Sequence, residues 1–180
     1  MRVGVLALQG GFALHARTLT ALGHEAVEVR DAGQLQAVDG LVLPGGESTA
    51  QLRLIARHAL RPALERFAAS GKPILATCAG LILVAKSVIA PEQESLGLLE
   101  VSVARNGWGR QLDSFEGTAD DGELPLVFIR APRIVEREPS VEVLATLDGE
   151  PVLVRQRNIT GATFHPELTS SLHVHRQVFG

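Results

Sequence analysis

Cys78 is the one cysteine in 180 residues, and its surroundings suit a nucleophile. It sits in Lys72-Pro73-Ile74-Leu75-Ala76-Thr77-Cys78-Ala79-Gly80-Leu81-Ile82-Leu83-Val84, where an apolar strand passes through small residues directly into an apolar helical run. A sharp strand-to-helix turn there lifts the sulfur out of the sheet, beside the free N–H groups of a helix N-terminus. Thiolate is the reactive form of cysteine, and the positive end of a helix favours it. A lone cysteine without such context is more often a small buried hydrophobe. A nucleophile of this kind also needs a base to move its proton, and the base needs an orienting group. His165-Pro166-Glu167 supplies both, with the proline stiffening the backbone between them. His-x-Glu alone is common on surfaces; the cysteine turn in the same chain is what gives it weight.

Pro44-Gly45-Gly46-Glu47-Ser48 has two compatible uses. Its glycines permit a tight turn with Ser48 capping the next helix, and they expose backbone N–H groups able to hold an oxyanion. The Gly-Lys-Ser/Thr ending of a phosphate loop is absent. His15 and His58 fall in helical stretches and read as exposed or half-buried. His173 and His175 read as a solvated face rather than a metal site, since no cysteine or carboxylate cluster joins them. Trp108, between two glycines, reads as part of a loop that contacts something. The residues describe a cysteine-nucleophile acyl-transfer enzyme, with its substrate open.

The elements that must carry these groups alternate over the first half. Val3 to Leu8 reads as a strand buried on both faces, and Phe12, Ala16, Leu19 and Leu22 recur at helical spacing before Gly23. Ala26 to Val29 and Leu41 to Leu43 follow as strands. Ser48 and Gln51 read as a capping box for a helix with Leu52, Ile55 and Ala59 on one face. Leu60, Leu64, Phe67 and Ala68 form a second helical piece, stopped by Gly71, and Pro73 to Ala76 is the strand that leads to Cys78. Such alternation implies an α/β fold, a mainly parallel sheet flanked by helices. Ligands then bind beyond the carboxyl ends of the strands, where Gln9-Gly10, Gly45-Gly46 and Cys78 all fall. The second half reads as shorter strands at Val101 to Val103, Leu126 to Ile129, Val141 to Leu147, Val152 to Val154 and Ile159 to Thr163. Asp148-Gly149 marks a hairpin, and Asp113 to Glu123 a polar surface loop.

The length fits one domain over residues 1–180, with 46% hydrophobic and 21% charged residues. A net charge of −3 with interspersed signs offers no basic stripe for nucleic acid or a membrane surface. No apolar run is long enough to span a bilayer, and Met1-Arg2-Val3-Gly4-Val5 enters a strand without a signal peptide. One cysteine excludes an internal disulfide. The expectation is a cytoplasmic protein.

At these residues the chain resembles the class I glutamine amidotransferases, and within them the glutaminase subunits of pyridoxal 5′-phosphate synthases. The resemblance covers nearly the whole chain. It rests on Gly4-Val5-Leu6-Ala7-Leu8-Gln9-Gly10, Leu43-Pro44-Gly45-Gly46-Glu47-Ser48-Thr49 and Thr77-Cys78-Ala79-Gly80-Leu81-Ile82. Further on are Arg105-Asn106-Gly107-Trp108-Gly109-Arg110-Gln111, Asp113-Ser114-Phe115-Glu116, Phe128-Ile129-Arg130-Ala131-Pro132 and Phe164-His165-Pro166-Glu167-Leu168. The resemblance implies a flavodoxin-like fold and a triad of Cys78, His165 and Glu167. It implies glutamine binding by Gly46, Glu47, Ser48, Arg105, Ile129 and Arg130, with oxyanion N–H groups from Gly46 and Ala79. Gln9 falls near the active site and partner interface of that family. The implied reaction hydrolyses L-glutamine to glutamate and ammonia through a glutamyl thioester, with no cofactor and no metal. The implied partner is a synthase subunit, a (β/α)8 barrel, that receives the ammonia for vitamin B6 biosynthesis and switches the glutaminase on. Two departures stand out. Ala76 replaces a usual glycine before the nucleophile turn, and the chain ends soon after Val178, short of the longer C-terminal helix of relatives. The turn is expected to survive alanine. Rival readings are a glutaminase serving another amidotransferase, a catalytically silent binding module, and a cysteine hydrolase or chaperone on a related sheet.

Overall fold

Apolar runs and helical stripes of the first half build parallel strands with helices returning across them. The computed structural model describes residues 1–105, 107 and 114–180. Its first half runs β1 (Arg2–Leu6), α1 (Phe12–Ala21), β2 (Glu25–Val29), α2 (Ala32–Gln36), β3 (Gly40–Leu43), α3 (Ser48–Arg57), α4 (Arg61–Ala69), β4 (Ile74–Thr77) and α5 (Ala79–Val84). The second half adds β5 (Ala85–Ile89), β6 (Leu99–Ala104), β7 (Phe115–Thr118), β8 (Pro125–Phe128), β9 (Arg133–Arg137), β10 (Glu142–Leu147), β11 (Glu150–Gln156) and β12 (Ile159–Ala162). A 3-10 turn (Pro166–Leu168) and α6 (His173–Phe179) complete it. No helix among the described residues is long and apolar enough to cross a membrane.

The main sheet has seven strands in the order β10-β11-β12-β4-β3-β1-β2. The five from β12 to β2 are parallel, and β11 and β10 run antiparallel at one edge. Side chains alternate across a strand, so each central strand feeds two cores. Leu41 and Leu43 of β3, with Ile74 and Ala76 of β4, face the core formed with α2 to α5 and a small sheet of β5, β6 and β9. Val42 and Leu75 face the core formed with α1, α6 and the β7–β8 hairpin. Thr77 follows Leu75 by two residues and points to this second side, fully buried.

Several local details depart from the sequence reading. The first strand stops at Leu6, although the Ala7 N–H still bonds the Val29 carbonyl at 2.9 Å before the chain turns toward α1. Glu47, not Ser48, is the N-cap of α3: its carboxylate accepts from the N–H groups of Thr49 and Ala50 at 2.9 and 2.7 Å. Gln51 takes no part in a capping box. It is buried, and its amide bonds the Gln9 and Pro44 carbonyls instead. Ala59 lies beyond the end of α3 and is exposed. Helix α2, with Asp31 as its side-chain cap, and strands β5 and β9 have no counterpart in the sequence reading. In the segment read as a polar loop, β7 pairs with β8, and Phe115 stacks on Phe128. Asp113, at the start of that segment, and Trp108 lie outside the described residues. The Asp148-Gly149 turn forms as expected, with positive φ at both residues joining β10 to β11.

Gly80 is where α5 meets the sheet most closely. A Cβ built there would collide with the Leu43 carbonyl oxygen, which is backbone and cannot rotate away. Gly80→Ala is therefore expected to cost about 1–3 kcal/mol by overpacking and to displace the turn that holds Cys78. Thermal melting together with turnover checks this: a variant with the parent melting temperature and activity would contradict the close packing.

Candidate active site

Two neighbouring strands bring the cysteine and the histidine together. β4 and β12 pair in parallel with Thr77 opposite Ala162, and the Cys78 N–H continues the ladder to the Ala162 carbonyl at 2.9 Å. Both chains therefore leave the sheet at the same carboxyl edge. Cys78 adopts φ 49 and ψ −105, a left-handed turn that a residue other than glycine seldom takes. Helix α5 starts at the next residue, with the Ile82 N–H bonded to the Cys78 carbonyl at 3.2 Å. Ala76, inside β4 and fully buried, does not prevent the turn. On the other strand, the His165 N–H donates to the Val127 carbonyl at 2.8 Å, while buried Phe164 packs beside Phe128.

His165 Nδ1 lies 2.7 Å from Glu167 Oε1, in the separation of a strong charge-assisted hydrogen bond. Cys78, His165 and Glu167 are all buried, at 5%, 9% and 7% exposure. Burial opposes a charge on the His165 ring, but hydrogen bonds to the Cys78 side chain and the Glu167 carboxylate outweigh it and raise its pKa to about 10. Burial likewise works against ionised Glu167, yet its bond to His165 and the nearby His15 ring hold the carboxyl below its ordinary range. The ring between sulfur and carboxylate is thus set to hold a proton.

The loop from Pro44 to Ser48 is tied down beside them. The Gly11 N–H donates to the Gly45 carbonyl at 3.0 Å, and the Glu47 N–H to Gln9 Oε1 at 2.8 Å. Gly10 has φ +100, and a Cβ there would strike the Gly45 carbonyl oxygen, so only glycine permits this approach. Gln9, Gly46, Glu47, Ser48, Cys78, Ile82, Arg105, Ile129, Arg130 and His165 line one cleft of about 410 Å³. Every residue expected to bind substrate thus faces the same space as the sulfur, and Ala79 follows Cys78 at the start of α5. Glu47 lies 3.6 Å from Arg105; burial would raise its carboxyl, but the cap N–H groups and Arg105 bring it below the usual range. The Ser48 hydroxyl donates to Gln93 Oε1 at 2.9 Å, so its side chain braces the loop. Residues 106 and 108–113, which include most of the Arg-Asn-x-x-Gly-Arg-Gln segment, lie outside the described residues. Among those described, no group of three or more His, Cys, Asp or Glu side chains is arranged to hold a metal ion.

Two expectations are corrected here. His15 and His175, read as exposed or solvated, are fully buried and reach the site from behind. The spacing does contain the signal: His15 is four residues before buried Leu19, and His175 four before buried Phe179, so each shares an apolar helix face. Ile82, Gln51 and Gln93 were also missed, the two amides because polar residues in helices and loops carry no periodic mark. His58 and His173 are exposed.

Sequence and structural comparisons agree on a family. The profile of the SNO glutamine amidotransferase family matches residues 5–179. The pyridoxal 5′-phosphate synthase subunit PdxT of Shouchella clausii is 49% identical over 98% of this chain and 92% of its own length. The protein of the same name from Moorella thermoacetica is 47% identical over 97% and 96%. A crystal structure of a glutamine amidotransferase superposes with a TM-score of 0.92 at 43% identity, covering 99% of this chain and 97% of the other. The PurLQS structure from Thermotoga maritima, at TM-score 0.69 and 20% identity, shares the fold.

The His165 environment makes a direct test. Removing sulfur in Cys78→Ala takes away the larger of the two hydrogen bonds that raise the ring's pKa, so its NMR titration midpoint is expected to fall from near 10 toward neutral pH. The sign extends to stability. A raised histidine pKa stabilises the fold fully below about pH 6.5 and loses that contribution as pH rises toward 10. An unchanged midpoint in Cys78→Ala would contradict a sulfur–imidazole pair.

Proposed function

This chain belongs to the SNO glutamine amidotransferase family, and on that premise we propose that it is the glutaminase subunit of a pyridoxal 5′-phosphate synthase. The observation that carries the reading is the meeting of Cys78 and His165 in one cleft, with Glu167 2.7 Å behind the ring. Residues 1–180 then act as one amidotransferase domain, a reading supported by a family match that spans almost all of them. A single thiol without a disulfide suits the cytoplasm.

In this reading Cys78 attacks the carboxamide carbon of L-glutamine, and the Gly46 and Ala79 N–H groups hold the oxyanion. His165 protonates the leaving nitrogen, ammonia departs, and a glutamyl thioester remains on Cys78. Water deprotonated by His165 releases glutamate. Glu167 keeps the imidazole in one tautomer and stabilises its charged form. The cleft also suits an amino acid: Glu47 offers an anion for the α-ammonium, and Arg105 and Arg130 offer cations for the α-carboxylate. Neither group of glutamine reacts, so these contacts hold the side chain over the sulfur.

Ammonia protonated in bulk water is no nucleophile, so a partner synthase subunit must collect it directly. That partner is a (β/α)8 barrel in our reading, docked at the carboxyl edge near Gln9 and the Gly45 to Ser48 loop. Turning the Gly45–Gly46 peptide breaks one hydrogen bond, from Gly11, and glycine tolerates either sign of φ. Loss of one oxyanion donor costs about 10²–10³ in rate, so such a turn is large enough to act as a switch.

Steady-state glutamine hydrolysis, with and without the purified synthase subunit, tests the proposal. The rate is expected to rise on adding the subunit and to vanish in Cys78→Ala, while Glu167→Gln retains its fold and loses about 10²–10⁴-fold. Equal rates with and without the subunit would refute partner control, and undiminished hydrolysis by Cys78→Ala would refute the nucleophile.

A further inference from the structure

Behind Glu167, between α1, α6 and the end of β4, two imidazoles lie in a space that apolar side chains would fill at lower desolvation cost. His15 and His175 are both fully buried. His15 Nδ1 is 2.8 Å from His175 Nε2. On its other side, His15 Nε2 is 3.1 Å from Thr77 Oγ1 and 3.3 Å from Glu167 Oε2. Thr77 precedes Cys78 in the chain, and Glu167 bonds His165 through its other oxygen. One ring therefore touches the supports of both the nucleophile and the base.

The direction of the hydrogens follows from what surrounds them. If His15 carried its proton on Nδ1, a bare nitrogen lone pair would face the Glu167 carboxylate at 3.3 Å. His175 would then accept through Nε2 and carry its own proton on Nδ1, an atom buried without a hydrogen-bond partner among the described residues. The opposite tautomers remove both penalties. His175 Nε2–H donates to His15 Nδ1, and His15 Nε2–H points at Thr77 and the carboxylate. The group left over is a lone pair on His175 Nδ1, which is less costly to bury than an unmatched donor.

We propose that His15, oriented by His175, is a positioning residue of the glutaminase reaction: its Nε2–H steadies Glu167 Oε2 and Thr77, so that Oε1 stays on His165 and the Cys78 turn keeps its place. This rests on the reading of Cys78, His165 and Glu167 as the triad. Glu167 Oε2 has no direct hydrogen bond among the described residues, so the neighbouring His15 N–H is the dipole that restrains it. The donor works because it stays neutral. Burial lowers the pKa of His15 to about 4 and of His175 to about 3, with the Glu167 charge pulling each upward without prevailing. A cation in that place would compete with His165 for the charge of Glu167, whereas a neutral N–H fixes the carboxylate and leaves its charge for the imidazolium.

The test separates orientation from packing by using two amides at one position. A glutamine side chain carries its N–H₂ to where His15 Nε2 lies, but asparagine reaches only the position of Nδ1. Glutamine hydrolysis is measured in the assembled complex with the synthase subunit, for His15→Gln, His15→Asn and His175→Leu. His15→Gln is expected to keep kcat within about threefold of the parent and His15→Asn to lose about ten- to a hundredfold, with KM for glutamine unchanged in both. His175→Leu, which leaves His15 in place, is expected to lose about three- to tenfold in kcat at unchanged KM, and it supplies the comparison if His15→Asn does not fold. Equal kcat in the two His15 amide variants, a loss confined to KM, or a parent-like kcat in His175→Leu would overturn the proposal. Cys78→Ala in the same assay keeps the two levels apart. Activity there breaks the triad reading itself, whereas an inactive Cys78→Ala beside equal amide variants breaks only the role of His15.

Discussion

The hydrogen bond from the Cys78 N–H to the Ala162 carbonyl fixes nearly everything that matters in this molecule. It extends the β4–β12 ladder one residue past the strand and sets where two chain segments leave the sheet. A parallel pair must exit on one edge, and a slip by one residue would send Thr77 and Cys78 to the wrong faces. From this register follow the left-handed turn at Cys78, the immediate start of α5, and the placing of His165 three residues beyond Ala162. Gly80 serves the same end by letting α5 sit against Leu43.

Electrostatics then sets the chemistry. Cys78, His165 and Glu167 are buried side by side, an arrangement that is unfavourable unless each charge has a partner. The Glu167 carboxylate has His165 on one oxygen and the neutral His15 ring near the other. His165 has the carboxylate on one side and the sulfur on the other. Toward solvent the cleft is polar and mixed in sign, with Glu47 set against Arg105 and Arg130. The inner end holds the thiol, imidazole and carboxylate, and the outer end holds side chains of both charges, with the Gly45–Gly46 peptide between them. The carbonyl of that peptide is held by one hydrogen bond, from the Gly11 N–H, and the next peptide by one from the Glu47 N–H to Gln9 Oε1.

The strand–cysteine–helix turn was legible in the sequence because three signals coincide: a β run, small residues and a helical run without a loop. His165 and Glu167 were legible once that turn fixed the edge they had to share. The cap of α3 was misread because Ser-x-x-Gln satisfies the capping pattern, while the real cap one residue earlier uses a longer carboxylate to bond Thr49 and Ala50. Helix α2 has five residues and contains Gly33, too short and too weak a helix former to leave a periodic stripe. β5 was hidden because α5 passes into it at Ala85 with no glycine or proline between. His15 in a helical stretch reads as exposed or half-buried, and His175 as a solvated face for want of a ligand cluster around it. The burial of His15 makes sense only when Glu167 and His175, from the other end of the chain, fold in beside it.

The measurement that bears most directly on this account is covalent capture of the nucleophile in the assembled complex. A glutamine analogue with an electrophilic γ-carbon, followed by peptide mass spectrometry, is expected to give one adduct per chain, on Cys78, with loss of glutamine turnover in proportion and protection by glutamine. Modification at another residue, or full turnover in chains labelled at Cys78, would contradict the claim that the β4–β12 edge carries the reaction.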